Sequence, residues 1–214
     1  MKRFAIAVTA AALGLAACQG PGPKKVGEAT LALASQGDDL PAAAEQAPVV
    51  EILRGAPVSI PDAPVVKLAI DRQAHWGQVK ASLEIMEARG QTPVLLVADR
   101  QRVRALRLSD DFDERGIEVT AYATGKLCVR HPKVVEGKCS QSPDPTYIDG
   151  AGVRELVREA VRGYEMNDIE IDLPADLEWD DVVRVVDGAR TCCGEDVPIR
   201  AAVRPPEAFP ERIQ

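Results

Sequence analysis

Between residues 65 and 99 the period of the hydrophobic positions changes twice. Val65 to Ile70, VVKLAI, is a short apolar run rich in β-branched residues and predicts a buried strand. Trp76, Val79, Leu83 and Met86 then recur at helical spacing, and Gly90 is placed to end that helix as its C′ residue. Val94 to Ala98, VLLVA, predicts a second buried strand. Strand, helix and strand in this order make a βαβ-like unit, with a right-handed crossover if the strands are parallel.

The same outline returns near the C-terminus. Ile169 to Leu173, IEIDL, alternates as a strand does. Trp179, Val182, Val183, Val186 and Ala189 form a helical stripe, although the closing DGAR, residues 187–190, is small and turn-prone. Gly194 is placed to end the helix, and Val197 to Val203, VPIRAAV, is the closing strand. Trp76 and Trp179 stand 103 positions apart, so the two units are copies of one pattern. Two copies are too few for a solenoid and predict a duplicated half or two related lobes.

Between the copies, GIEVTAYATGKLCVR from Gly116 to Arg130 predicts a hairpin turning near Thr124-Gly125. Residues 149–166 hold the most regular helical stripe: Val153, Leu156, Val157, Ala160, Val161 and Tyr164 on one face, arginines and glutamates on the other. Asp149 is its expected N-cap. Arg102, Arg104 and Arg107 are expected along the outside of a strand, and Asp110 to Glu114 in a solvated loop. The expected class is α/β (α+β), with a first strand-helix-strand unit over 49–110, a second domain over 111–205 and a tail over 206–214.

The N-terminus changes the picture. Lys2 and Arg3 precede an apolar run from Phe4 to Ala17, too short to cross a bilayer and shaped as a secretory signal. Leu15-Ala16-Ala17-Cys18 resembles the bacterial lipobox, which implies cleavage after residue 17 and acylation of Cys18, palmitate included. Several acyl chains on one residue anchor stably where one chain does not. Gln19, rather than Asp, after the cysteine leans toward the outer membrane by resemblance to bacterial sorting signals. The expected location is therefore periplasm-facing and lipid-anchored. Residues 18–48 are rich in Gly, Pro, Ala and Gln with little periodicity, and are expected to be a disordered tether.

The whole chain carries a formal charge of -7; residues 1–17 hold Lys2 and Arg3 and no acid, so the mature chain stands at -9. An acidic chain without a basic face is a poor ligand for phosphates, and nucleic acid is excluded as a partner. Aromatic residues make up only 4%, so the core must rest on Val, Leu, Ile and Ala.

Beyond Cys18 there are four cysteines, Cys128, Cys139, Cys192 and Cys193, which allow three pairings in an oxidising compartment. Cys128–Cys139 is favoured, because Pro132 and Gly137 let the short intervening loop reverse. It would stabilise by roughly 2–3 kcal/mol. Cys192 and Cys193 are neighbours at a helix end; a bond between them is strained, which leaves them free or lets one cross to the hairpin. The alternative chemistry is zinc: Cys128 and His131 have the C-x-x-H spacing, and Cys139 or Cys192 would complete a tetrahedron, although Pro132 restricts the turn. His75 is expected to cap a helix or lie at the surface. The acids Asp176, Glu178, Asp180 and Asp181 are expected to complement a helix dipole, and the two tryptophans to wedge helix against sheet, with a ligand platform as the lesser reading. No nucleophile elbow, zincin, P-loop or dinucleotide motif occurs. No catalytic residue, metal or cofactor is expected.

Together, IEVTAYATGKLCVR, GVRELVREAVRGY and IEIDLPADLEWDDVVRVVDGARTCCGEDVPIRAAV resemble the periplasmic domain of the ExbD/TolR family, from Ile117 to about Val203, with a partial second copy at 65–99. The resemblance implies that family's fold and a contact role in the cell envelope, with a protein partner or peptidoglycan, a possible homodimer, and accessory work in biopolymer transport. It does not carry over proton conduction. Family members have an N-terminal transmembrane helix with an acidic residue, and here a lipobox stands in its place.

Overall fold

The computed structural model describes residues 23–35, 37–106, 116–122, 124–130, 137–144, 147–164, 168–193 and 200–203. The signal segment, Cys18, Arg107, Asp110 to Glu114, His131, Gly194 and the tail lie outside the described residues.

Strands β1 (Lys25–Val26) and β2 (Ala29–Thr30) form a small antiparallel hairpin. The first large sheet contains β3 (Val49–Ile52), β4 (Val65–Ile70), β5 (Thr92–Ala98) and β6 (Val103–Leu106), in the order β3-β4-β5-β6. β3, β4 and β5 run parallel and β6 antiparallel, and helix α1 (Trp76–Ala88) makes the crossover from β4 to β5. The second sheet contains β7 (Ile117–Ala121), β8 (Lys126–Arg130), β9 (Lys138–Gln141), β10 (Asp168–Asp172) and β11 (Arg200–Val203), in the order β11-β10-β7-β8-β9. Helix α2 (Gly150–Tyr164) leads into β10, and α3 (Trp179–Arg190) crosses from β10 to β11. Helices and mixed sheets make the class α+β.

The expected elements are present with small shifts. Gly90 has φ 66°, as a residue that ends a helix in the left-handed region does. On α1, Trp76, Val79 and Met86 are buried and Leu83 packs at the rim of the core. DGAR continues α3 as helix rather than turning. The reason is close packing: a Cβ on Gly188 would stand 2.8 Å from the Gly150 carbonyl oxygen and 2.9 Å from Val153 Cβ, so its bare backbone lets α2 and α3 approach.

The repeat is larger than a strand, a helix and a strand. β3 lies parallel beside β4 as β7 lies parallel beside β10. The common unit is therefore three parallel strands and one helix. In the first copy a loop joins β3 to β4, whereas β8, β9 and α2 are inserted between β7 and β10.

Residues 23–35 and 37–48 correct the expectation of a disordered tether. Ala29, Leu31, Ala32, Ala34 and Ala44 are all buried. Arg72 N donates to Thr30 O at 2.8 Å, Ala98 N to Ala32 O at 2.9 Å and Asp38 N to Ala105 O at 2.8 Å. The cause lies in the sheet. Parallel strands bury both faces. Val66, Leu68, Ile70, Leu95 and Val97 face the main core, while Ala69, Val94, Leu96 and Ala98 point the other way and must also leave water. The small residues of the N-terminal segment cover that second face; among the described residues they form the β1–β2 hairpin, a 3-10 turn at Ala42–Ala44 and no long regular element.

Candidate functional site

Three places in the fold gather the residues that the sequence marks out. The first is the junction of the two lobes. Trp76 and Trp179 each open a helix, and both are buried. Their rings stack on one another, with centroids 6.1 Å apart and planes 15° apart. The indoles thus wedge lobe against lobe as well as helix against sheet, and no exposed ligand platform remains.

The backbone around them is reciprocal. Trp76 N donates to Leu177 O and Trp179 N to Ala74 O, both at 2.8 Å. Gly77 N donates to Ala175 O at 2.8 Å and Asp180 N to Arg72 O at 2.9 Å. Each partner pair is related by the 103-residue offset, so the junction has the pattern of a two-fold dimer contact made within one chain. A helix leaves its first N–H groups without intrahelical partners. Here the N-cap residues His75 and Glu178 make no side-chain cap, and the carbonyls of the opposite lobe supply the acceptors. His75 occupies the N-cap of α1, and its Nδ1 lies 2.9 Å from Asp176 O.

The acids at this junction do more than complement a dipole. Glu178 pairs with Arg54 at 3.3 Å, across the lobes. Asp180 pairs with Arg184 and, at 3.8 Å, with Arg72 of the other lobe. Asp181 is only 8% exposed; its Oδ1 accepts from Ile148 N at 3.3 Å and Arg184 Nη1 at 2.6 Å. Burial pushes the Asp181 carboxyl above its ordinary value, against the pull of the Ile148 hydrogen bond and the Arg184 charge. The N-terminal segment also reaches this side: Ser35 Oγ donates to Asp187 at 2.7 Å, and Asp38 pairs with Arg190 at 3.5 Å. Arg102 and Arg104, expected outside a strand, both pair with Asp39 of the same segment.

The second place is the far face and edge of the second sheet. Ile117, Val119, Ala121, Ile169 and Ile171 face the core. The alternate positions Glu118, Thr120 and Glu170 are polar yet buried. Arg130 Nε donates to Glu118 Oε2 at 2.8 Å, and Gly116 N to Glu170 Oε1 at 3.0 Å. Cys128 and Cys139 face each other in register on β8 and β9, with sulfurs 2.10 Å apart, which is the favoured pairing. β9 is the sheet's edge strand, and all four of its residues are exposed.

The third place is the exit of α3. Cys192 and Cys193 are bonded to one another, so neither crosses to the hairpin. Cys192 is 2% exposed and belongs to the main core, while Cys193 is half-buried at its rim. From α2, Arg158 Nε donates to Cys192 O at 2.7 Å and Arg154 Nε to Thr191 Oγ1 at 3.2 Å. The helical period sets these arginines on a solvated face, and only the approach of the α3 exit gives them partners.

Of the zinc set, Cys128 and Cys139 are bonded to one another and Cys192 to Cys193, while His131 lies outside the described residues. Among the described residues no helix is long and apolar enough to cross a membrane. No protein-family model, curated protein or solved structure matches the chain.

Proposed function

We propose that the chain is a lipid-anchored, non-enzymatic module of the bacterial cell envelope, ExbD/TolR-like in its second domain, that holds a protein partner or the cell wall in support of biopolymer transport. The lipobox-like LAAC ending at Cys18 supports the anchor and a position facing the periplasm, at the outer membrane. The observation that carries the binding role is β9, an edge strand with every residue exposed and a disulfide tying it to β8. An open edge offers unpaired N–H and C=O groups to an added strand. Ser142 N donates to Gly125 O at 3.0 Å, and alternation along an antiparallel ladder then turns the Gln141 N–H away from β8. A strand from a protein partner, or from a second copy of this chain, fits there.

Gln141→Pro tests this reading. Proline removes the outward N–H and is tolerated on an open edge. Crosslinking in intact cells should recover a partner with the native chain and lose it with Gln141→Pro and with Cys18→Ala. Sedimentation with purified peptidoglycan separates the cell wall from a protein. If Gln141→Pro keeps the native crosslinks and the native peptidoglycan binding, the edge is not the contact. The competing reading is a periplasmic redox or zinc-binding protein using Cys128, His131, Cys139 and Cys192, and its zinc form requires both sulfur pairs to open first. One zinc per chain in protein purified without reductant would favour it.

A further inference from the structure

A disulfide stabilises a fold chiefly by closing a loop of the unfolded chain, and more so for longer loops. Cys128 and Cys139 stand 11 positions apart and close such a loop. Cys192 and Cys193 are 1 position apart and enclose none. Their bond therefore contributes almost nothing through chain entropy. Both pairs have Cα atoms closer than the usual disulfide range of about 4.4–6.8 Å, at 4.1 Å and 3.8 Å, but those of Cys192 and Cys193 are fixed there by the peptide between them and cannot relax, and a bond held out of that range is more readily reduced. A bond with little structural value and easy reduction, placed half at the surface, has the character of a reactive site rather than a staple.

The surroundings fit thiol chemistry. Two guanidinium groups, those of Arg154 and Arg158, are held against the Thr191–Cys192 turn by hydrogen bonds to Thr191 Oγ1 and Cys192 O. Thr191 Oγ1 in turn donates to Asp187 O at 2.6 Å, which ties the turn to the last residues of α3. Positive charge beside a cysteine favours its thiolate. Burial separates the two sulfurs by access, since Cys193 is half-buried at the core's rim and Cys192 is inside the core.

We propose that Cys192–Cys193 is a thiol–disulfide exchange site for a dithiol reductant, with Cys193 the sulfur attacked and Cys192 the leaving group. A thiolate of the dithiol attacks Cys193 Sγ. The Cys192–Cys193 bond breaks, its electron pair leaves on Cys192 Sγ, in the residue whose backbone carbonyl accepts from Arg158, and that thiolate takes a proton from water. The second thiolate of the dithiol then attacks the dithiol sulfur of the mixed disulfide and releases Cys193 as a thiolate, which also takes a proton from water. Two electrons pass from the dithiol, which becomes a disulfide, to the protein, which gains two thiols. This assignment is independent of the envelope-binding role and of the lipid anchor.

The test uses the detergent-solubilised mature chain, oxidised and then titrated with dithiothreitol, with thiols alkylated and located by peptide mass spectrometry. Cys192 and Cys193 should become alkylated at a dithiothreitol concentration about tenfold or more below that for Cys128 and Cys139. With glutathione, a monothiol, the mixed disulfide should sit on Cys193 and not on Cys192. Replacing both Arg154 and Arg158 by Gln should slow formation of that adduct, with near-UV circular dichroism confirming that the fold is kept. Reduction of both pairs at the same concentration, an adduct on Cys192 at least as abundant as on Cys193, or free Cys192 and Cys193 in the oxidised protein would each overturn the assignment.

Discussion

Asp181 shows how one residue can carry opposite meanings in sequence and structure. In the sequence it is one of several acids at a helix start. In the fold it is buried under the approach to α2, and burial raises its pKa from the ordinary 3.8. A carboxyl whose folded pKa is raised stabilises the fold below the unfolded value and loses that contribution as pH rises through the folded one. Asp181 therefore weakens the protein on the way from acid toward neutrality. Asp99 has the opposite sign. Hydrogen bonds from Arg102 N and Gln101 N hold its pKa below 3.8, so its contribution is present above that value and is lost as pH falls through the lowered one. Melting temperature measured against pH should separate them. Asp181→Asn should flatten the fall above 3.8 and leave the acid limb, whereas Asp99→Asn should change the acid limb alone. A profile for Asp181→Asn parallel to the native one would show that the carboxyl is not desolvated.

At the scale of elements, hydrophobic period was a good guide where one helix or strand packs on one neighbour. VVKLAI, the Trp76 stripe and the Val153 stripe all became the expected elements, because burial of one face is what their spacing encodes. It also carried α3 through Ala189, although DGAR is small and turn-prone. Glycine lowers helix propensity by about 1 kcal/mol, yet here it permits the contact between α2 and α3. Gly188→Val should cost about 1–3 kcal/mol by overpacking against Gly150 O and Val153, and Gly163→Val, at a position with nothing within 4 Å, should cost less. Urea denaturation measures both. Equal changes at the two glycines would show that packing against α2 does not govern Gly188.

On the scale of the whole molecule, the two lobes depend on one another. Parting them would strip acceptors from Trp76, Gly77, Trp179 and Asp180 N–H and expose two stacked indoles. Each of these hydrogen bonds exchanged for one to water costs about 0.5–1.5 kcal/mol net. The N-terminal segment adds to this union, covering the back of the first sheet and reaching Asp187 and Arg190 of α3. Deleting residues 23–44 should lower the melting temperature by several degrees and expose apolar surface to a hydrophobic dye. A true tether would be removable without change, so an unaltered melt would return the segment to that role.

The amino-acid sequence determined the local parts: strands and helices whose faces are written in their period, the repeat at an offset of 103, and the cysteine pair that a short reversing loop brings together. Tertiary structure alone decided what those parts do to one another. β3 and β7 complete the repeat from different distances along the chain, and alanines without periodicity fold because a bare sheet face needs covering. Helix ends are capped by carbonyls about a hundred residues away. Periodicity records only the burial of an element's own face. Which surface covers it, and which backbone groups lose water as a result, depends on neighbours that the chain supplies from elsewhere.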